Sequence, residues 1–149
     1  MKPGRVAIIR KSKVAFSDAW IRSVIALAFR MAAWRGPRDA SVAVIGDAEM
    51  RRLNRVHRHK DRTTDVLSFP AGESWSSEAG GYLGDMMISL PQIRRQAVEY
   101  GRTLREEFAL MLIHGTLHLL GHDHMRPKDA KKMFGLQQKI YDRCLKIRA

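Results

Sequence analysis

One segment limits the fold more than any other: FALMLIHGTLHLLGHDH, from Phe108 to His124. Its apolar residues recur from Phe108 to Leu120 around His114 and His118, which predicts a largely buried helix. Thr103 and Glu106 form a capping box that opens this helix, and Gly121 stops it, as a glycine beyond a helix end commonly does. His114 and His118 lie four residues apart, so they point from the same helix face. Gly121 allows a positive φ, and the turn can carry a third histidine back to the first two. Three neutral imidazoles leave a coordination position open, which is the form of a catalytic metal site. The spacing therefore predicts one divalent ion per chain, held by His114, His118 and His124. Zinc is preferred, although imidazole also suits nickel and copper. His122, four residues after His118, competes as a ligand only if the helix runs through Gly121. Asp123 is either an orienting partner for a ligand imidazole or a solvated turn residue.

The spacing resembles the long zincin signature, His-Glu-x2-His-x2-Gly-x2-His. Proteases of that type use the glutamate beside the first histidine as general base. Here that position is Gly115, which has no side chain to move a proton. The ligand frame is kept without the protease base, and peptide hydrolysis falls below other hydrolytic chemistry.

The rest of the chain alternates strand and helix patterns. Arg5 to Arg10, Ser41 to Gly46, Asp65 to Phe69 and Tyr82 to Ser89 read as strands. Ser17 caps a helix carrying Trp20, Ile21, Val24, Leu27, Ala28 and Met31, ended by Gly36-Pro37. Asp47 caps a second helix, with Met50 and Leu53 inward. Ala71 to Gly81 reads as a loop. Ser89 and Gln92 form another capping box, and Pro127 opens the last helix. On that helix Met133, Leu136, Ile140, Cys144 and Ile147 keep one apolar stripe, while Lys128, Lys132, Lys139, Arg143 and Lys146 fall on another side. These elements predict a single α+β domain over 1–149. It has about four strands in a mixed sheet packed with helices, and the metal site lies on a central helix and the following turn.

With 149 residues the chain suits one compact core. Its longest early apolar stretch, Val24 to Phe29, is too short to span a bilayer, and Met1 to Lys13 lacks a secretory layout. The sole cysteine, Cys144, excludes an internal disulfide, which fits a reduced cytoplasmic setting. A net charge of +12 exceeds what a fold needs. It points to nucleic acid or an anionic membrane, with a merely soluble basic surface as the alternative.

A second cluster lies at the end of the second helix, LNRVHRHKDRTTDVLSFP, from Leu53 to Pro70. Arg58 can offer a planar fork to phosphate oxygens. With LGDMMIS from Leu83 to Ser89 and HGTLHLLGHDH from His114 to His124, this stretch makes the sequence resemble the YbeY family of bacterial endoribonucleases and rRNA maturation factors. The resemblance spans nearly the whole chain. It implies a zinc-bound single domain that cuts single-stranded RNA, matures the 3′ end of 16S rRNA and takes part in ribosome quality control. By matching positions it implies His114, His118 and His124 as ligands and Arg58 as the functional arginine of the cleft. The expected partners are single-stranded rRNA and the small ribosomal subunit, with its proteins or assembly GTPases, and no membrane. This sequence departs from the family pattern at His57 and His122, where an aromatic residue is usual, and at Thr63, where proline is common.

Further RNA contacts are expected from His59, Lys60, Lys132, Lys139 and Arg143. Asp85, after a glycine in the third motif, either orients a ligand or water or braces its strand. The sequence leaves open whether water or a ribose 2′-hydroxyl is the nucleophile. Two rivals stand beside the nuclease: a metal-dependent peptide or ester hydrolase, and a non-catalytic RNA-binding assembly factor with a structural metal.

Overall fold

The computed structural model describes residues 4–71 and 81–147. Its elements follow in the order β1 (Val6–Arg10), α1 (Asp18–Met31), β2 (Asp39–Ile45), α2 (Asp47–Arg58), β3 (Val66–Pro70), β4 (Tyr82–Ser89), α3 (Leu90–Glu99), α4 (Leu104–Leu119) and α5 (Pro127–Cys144). The four strands form one sheet in the order β1-β2-β4-β3. β1, β2 and β4 are parallel, and β3 runs antiparallel to β4. Parallel neighbours need helical crossovers, which α1 and α2 supply. The predicted α+β class with a mixed sheet holds. The loop expected from Ala71 to Gly81 lies outside the described residues over 72–80. No helix among the described residues is long and apolar enough to cross a membrane.

Alternation along the strands divides the core. Ala40, Val42, Val44, Met86 and Ile88 face the large cluster with α1, α4 and α5. Ala43, Ile45 and Leu67 face the smaller one with Met50 of α2. α4 is the central helix, apolar on almost every side because it touches α1, α3, α5, β3 and β4. Its capping box forms as predicted: Thr103 Oγ1 accepts from the Glu106 amide at 3.1 Å, and the Glu106 carboxylate accepts from the Thr103 amide at 2.8 Å.

Three local expectations are corrected. Gly46, not Asp47, caps α2. The Asp47 carboxylate instead collects Thr63, Ser89 and Arg95 as donors, which holds it below the usual carboxylate range, the Arg95 hydrogen bond contributing most. That bond takes the Ser89 hydroxyl, so Ser89 and Gln92 form no capping box. α1 stops at Met31, before Gly36-Pro37, because Ala33 takes φ 53 and the Trp34 amide reaches back to the Phe29 carbonyl at 3.0 Å.

Gly115 brings α4 against the sheet. A Cβ there would stand 2.7 Å from Met86 Sδ and 3.0 Å from Val66 Cγ2, and Met86 is only 1% exposed, so it has nowhere to swing. Ser68 Oγ donates to the Gly115 carbonyl at 2.9 Å and locks the approach. Gly115→Ala gains about 1 kcal/mol of helix propensity but overpacks a filled core at a cost of about 1–3 kcal/mol. The expected result is a net loss of roughly 1 kcal/mol in urea unfolding. A stabilised variant would show that the helix is not pressed on the sheet.

Candidate metal centre

The turn after α4 is a Schellman motif. The His122 amide donates to the Leu117 carbonyl and the Gly121 amide to the His118 carbonyl, each at 3.0 Å, with Gly121 at φ 92. Asp123 Oδ1 then accepts from the Met125 amide at 3.0 Å and turns the chain again. The result brings His114, His118 and His124 together, with donor nitrogens all within 4.8 Å of one another. His122 points elsewhere: its side chain lines a neighbouring hollow with Asp123, Asp129 and Lys132.

The outer nitrogens decide which atoms face inward. The His118 Nδ1–H donates to the His122 carbonyl at 3.0 Å, because a carbonyl can only accept. His114 Nδ1 donates to Gln137 Oε1 at 2.7 Å. With both rings neutral, as ligation requires, these contacts leave lone pairs on both Nε2 atoms, which stand 3.1 Å apart. Two lone pairs at that distance are reconciled by a proton or a metal ion between them. Ligands at about 2.0–2.1 Å from a tetrahedral zinc sit roughly 3.3 Å from each other, so the donor set fits a divalent ion. Burial, and then the charges of His114 and His124, push the His118 conjugate acid down to about 4, which leaves the ring neutral and ready to ligate at neutral pH.

α5 completes the centre from behind. Gln137 fixes the His114 tautomer, and the Phe134 ring lies nearly parallel to those of His114 and His124, with centroids 6.3 Å and 5.9 Å away. Sequence reasoning missed both. The available signal was their three-residue spacing beside the apolar stripe of α5. Partners of this kind are commonly worth about 10–100-fold in metal affinity. Gln137→Leu is expected to weaken zinc binding by about that factor in a chelator competition, with the fold intact. Unchanged affinity would show that the Gln137 contact does not orient His114.

The three histidines share a cavity of about 490 Å³ with Arg58, Lys60, Asp65 and the β3 backbone. Arg58, at the end of α2, donates to the Ser68 carbonyl at 3.0 Å and rests its guanidinium over the Phe69 ring at 5.2 Å. It has no carboxylate within ion-pair distance among the described residues, so its charge is left for a ligand. Asp65 is the cavity's carboxylate, a third residue that sequence reasoning passed over. Its Oδ1 accepts from the Val66 amide at 2.7 Å, and Oδ2 faces no donor among the described residues.

The remaining candidates are dispersed. His59 takes φ 59 as the C-cap of α2, is exposed and does not line the cavity. Lys132 lines the hollow beside His122. Lys139 and Arg143 are exposed on α5, and at 3.6 residues per turn they lie on the far side from Phe134. Asp85 on β4 accepts from the Ser41 and Tyr82 hydroxyls, each at 2.5 Å, and does not line the cavity.

The chain is similar to known proteins. A family model described as Endoribonuclease YbeY matches residues 8–145. The Endoribonuclease YbeY of Myxococcus xanthus (strain DK1622) is 53% identical over 103 residues, covering 68% of this chain and 35% of that protein. The chain thus spans about a third of the length of that relative. The Endoribonuclease YbeY of Bacillus cereus (strain B4264) is 38% identical over 129 residues, covering 82% and 83% of the two chains. The solution structure of TM1509 from Thermotoga maritima is similar with a TM-score of 0.64 and 25% identity, over 94% of this chain and 89% of that one.

Proposed function

The chain belongs to the YbeY family of endoribonucleases, and we propose that it cuts single-stranded RNA with one zinc ion held by His114, His118 and His124. The observation that carries this reading is the three-histidine cluster, with two Nε2 atoms 3.1 Å apart, in the same cavity as Arg58. Bound there, the ion supplies Lewis acidity toward the negative charge of a phosphodiester. Arg58 binds and orients the scissile phosphate, because its position on Ser68 and Phe69 is set before substrate arrives. Lys60, at the cavity rim, draws the adjacent phosphate. Asp65 Oδ2 accepts the proton of the attacking hydroxyl, whether from water or from the ribose.

Peptide hydrolysis is disfavoured by packing as well as by composition. A glutamate at position 115 would have to pass through Met86 and Val66. The cellular substrate proposed is rRNA, at the 3′ end of 16S rRNA, acting in the cytoplasm with the small ribosomal subunit and in ribosome quality control. The basic side chains of α5, Lys132, Lys139 and Arg143, meet RNA outside the cavity.

The test is elemental analysis of the purified protein together with cleavage of a labelled single-stranded RNA before and after chelation. The reading requires about one zinc per chain, with cleavage lost on chelation and restored by zinc. Stoichiometric metal without cleavage would favour an assembly factor with a structural ion.

A further inference from the structure

Basic charge is also gathered away from the histidine cavity. After α1 the chain folds back through Trp34, Gly36 and Pro37 to enter β2. The Trp34 indole N–H donates to the Pro37 carbonyl at 2.8 Å, and the ring closes over Gly36, where a Cβ would stand 2.4 Å from it. Arg38 donates to the Trp34 carbonyl at 2.8 Å and lays its guanidinium over Phe29 at 5.5 Å. The Arg38 Nε is buried and has no hydrogen-bond partner. Arg30, Arg35 and Arg38 rim a concavity of about 370 Å³ with Phe29 and Trp34 in its wall. None of the three arginines has a carboxylate within ion-pair distance among the described residues. Asp39 beside them accepts from the Arg5 amide at 2.8 Å. The carbonyl end of α1 carries about half a negative charge, too little to neutralise Arg30, so all three guanidiniums contribute positive charge to the concavity.

The register places this concavity relative to the cavity. Ala40, two residues beyond Arg38, pairs with Gly84, and Gly84 pairs with Pro70, which lines the histidine cavity. Neighbouring strands stand about 5 Å apart, so Ala40 and Pro70 are roughly 10 Å apart. Leu119 packs on Gly84, with its Cδ2 2.9 Å from where a Cβ would be, so α4 delivers His118 to this same end of the sheet.

We infer that the arginine–tryptophan concavity is a second RNA subsite, which holds the single strand flanking the segment in the histidine cavity; the inference rests on the proposed RNA substrate. Guanidinium forks match phosphate oxygens, and arginine and indole planes stack on the unpaired bases of a single strand. A membrane surface calls for a basic face with exposed apolar side chains. Here Phe29 is buried beneath the guanidiniums.

The test uses chelated protein, so that nothing is cut, with fluorescently labelled uridine tetramer and dodecamer read by anisotropy. Arg30 and Arg35 are exposed, so the double variant R30Q/R35Q keeps the fold. Its affinity for the dodecamer is expected to fall by about tenfold, with the slope of log K against log salt shallower by about 1.4, roughly 0.7 per lost phosphate contact. Affinity for the tetramer stays at the wild-type level. An unchanged dodecamer affinity, or an equal loss for both lengths, overturns the subsite. Tighter binding of the wild type to phosphatidylglycerol vesicles than to dodecamer, lost in the variant, overturns it in favour of a membrane surface. Cleavage of both oligonucleotides by zinc-loaded wild type is measured alongside. If neither is cut while the dodecamer-specific loss is seen, the nuclease reading fails and the subsite stands.

Discussion

Replacing His118 with alanine is expected to abolish metal binding and RNA cleavage together in a protein that still folds. Two ligands cannot hold the ion with the geometry that three provide, so zinc falls from about one per chain to background. Loss of Lewis acidity costs several kcal/mol of transition-state stabilisation, or on the order of 10³-fold or more in cleavage rate. The fold survives because His118 is half-buried at the end of α4 and its one internal bond, to the His122 carbonyl, is worth only about 1 kcal/mol. The contrast is His122→Ala. That residue contributes its backbone carbonyl, not its ring, so the variant keeps both metal and activity. Elemental analysis, circular dichroism and cleavage on the same samples check the pair. Full cleavage by metal-free His118→Ala would sink the metal-dependent mechanism.

Arg58→Ala is expected to leave the metal in place and slow cleavage by about 10²–10³-fold, the usual cost of removing a preorganised donor from developing charge. The loss should fall on kcat more than on KM, because the guanidinium serves the phosphate most as charge builds. Arg58→Lys recovers little of it. An ammonium cannot keep both the Ser68 carbonyl and the Phe69 ring while presenting a planar fork. A variant with unchanged kcat and raised KM would reduce Arg58 to a binding residue. Loss of zinc from Arg58→Ala would show that the arginine supports the histidines instead.

Much of the architecture was legible residue by residue. Ser17, Thr103 with Glu106, Gly121 and Pro127 marked helix ends where the structure has them, because each acts through local backbone geometry. The strand from Tyr82 to Ser89 was read to the residue, since its apolar run is bounded on both sides. Expectations failed where a side chain had a distant alternative. Asp47 and Ser89 have the composition of caps, yet they bond each other across 42 positions of sequence. Ala33 ended α1 with no residue type to announce it.

The same division runs through the site. Local spacing put His114 and His118 on one helix face, and Gly121 made the return of His124 possible, so the three-histidine cluster follows from the chain's own periodicity. The residues that surround those histidines come from elsewhere. Gln137 and Phe134 arrive on α5, Asp65 and the Ser68 carbonyl on β3, and Arg58 at the end of α2. Tertiary packing also chose His122's carbonyl over its imidazole, because the Schellman turn aims the backbone at His118 and the ring away. Helical periodicity and turn chemistry are properties of neighbours along the chain, and sequence alone determines them. Which nitrogen carries a proton, and which arginine shares the histidines' cavity, depend on groups tens of residues apart that only the packed core brings together.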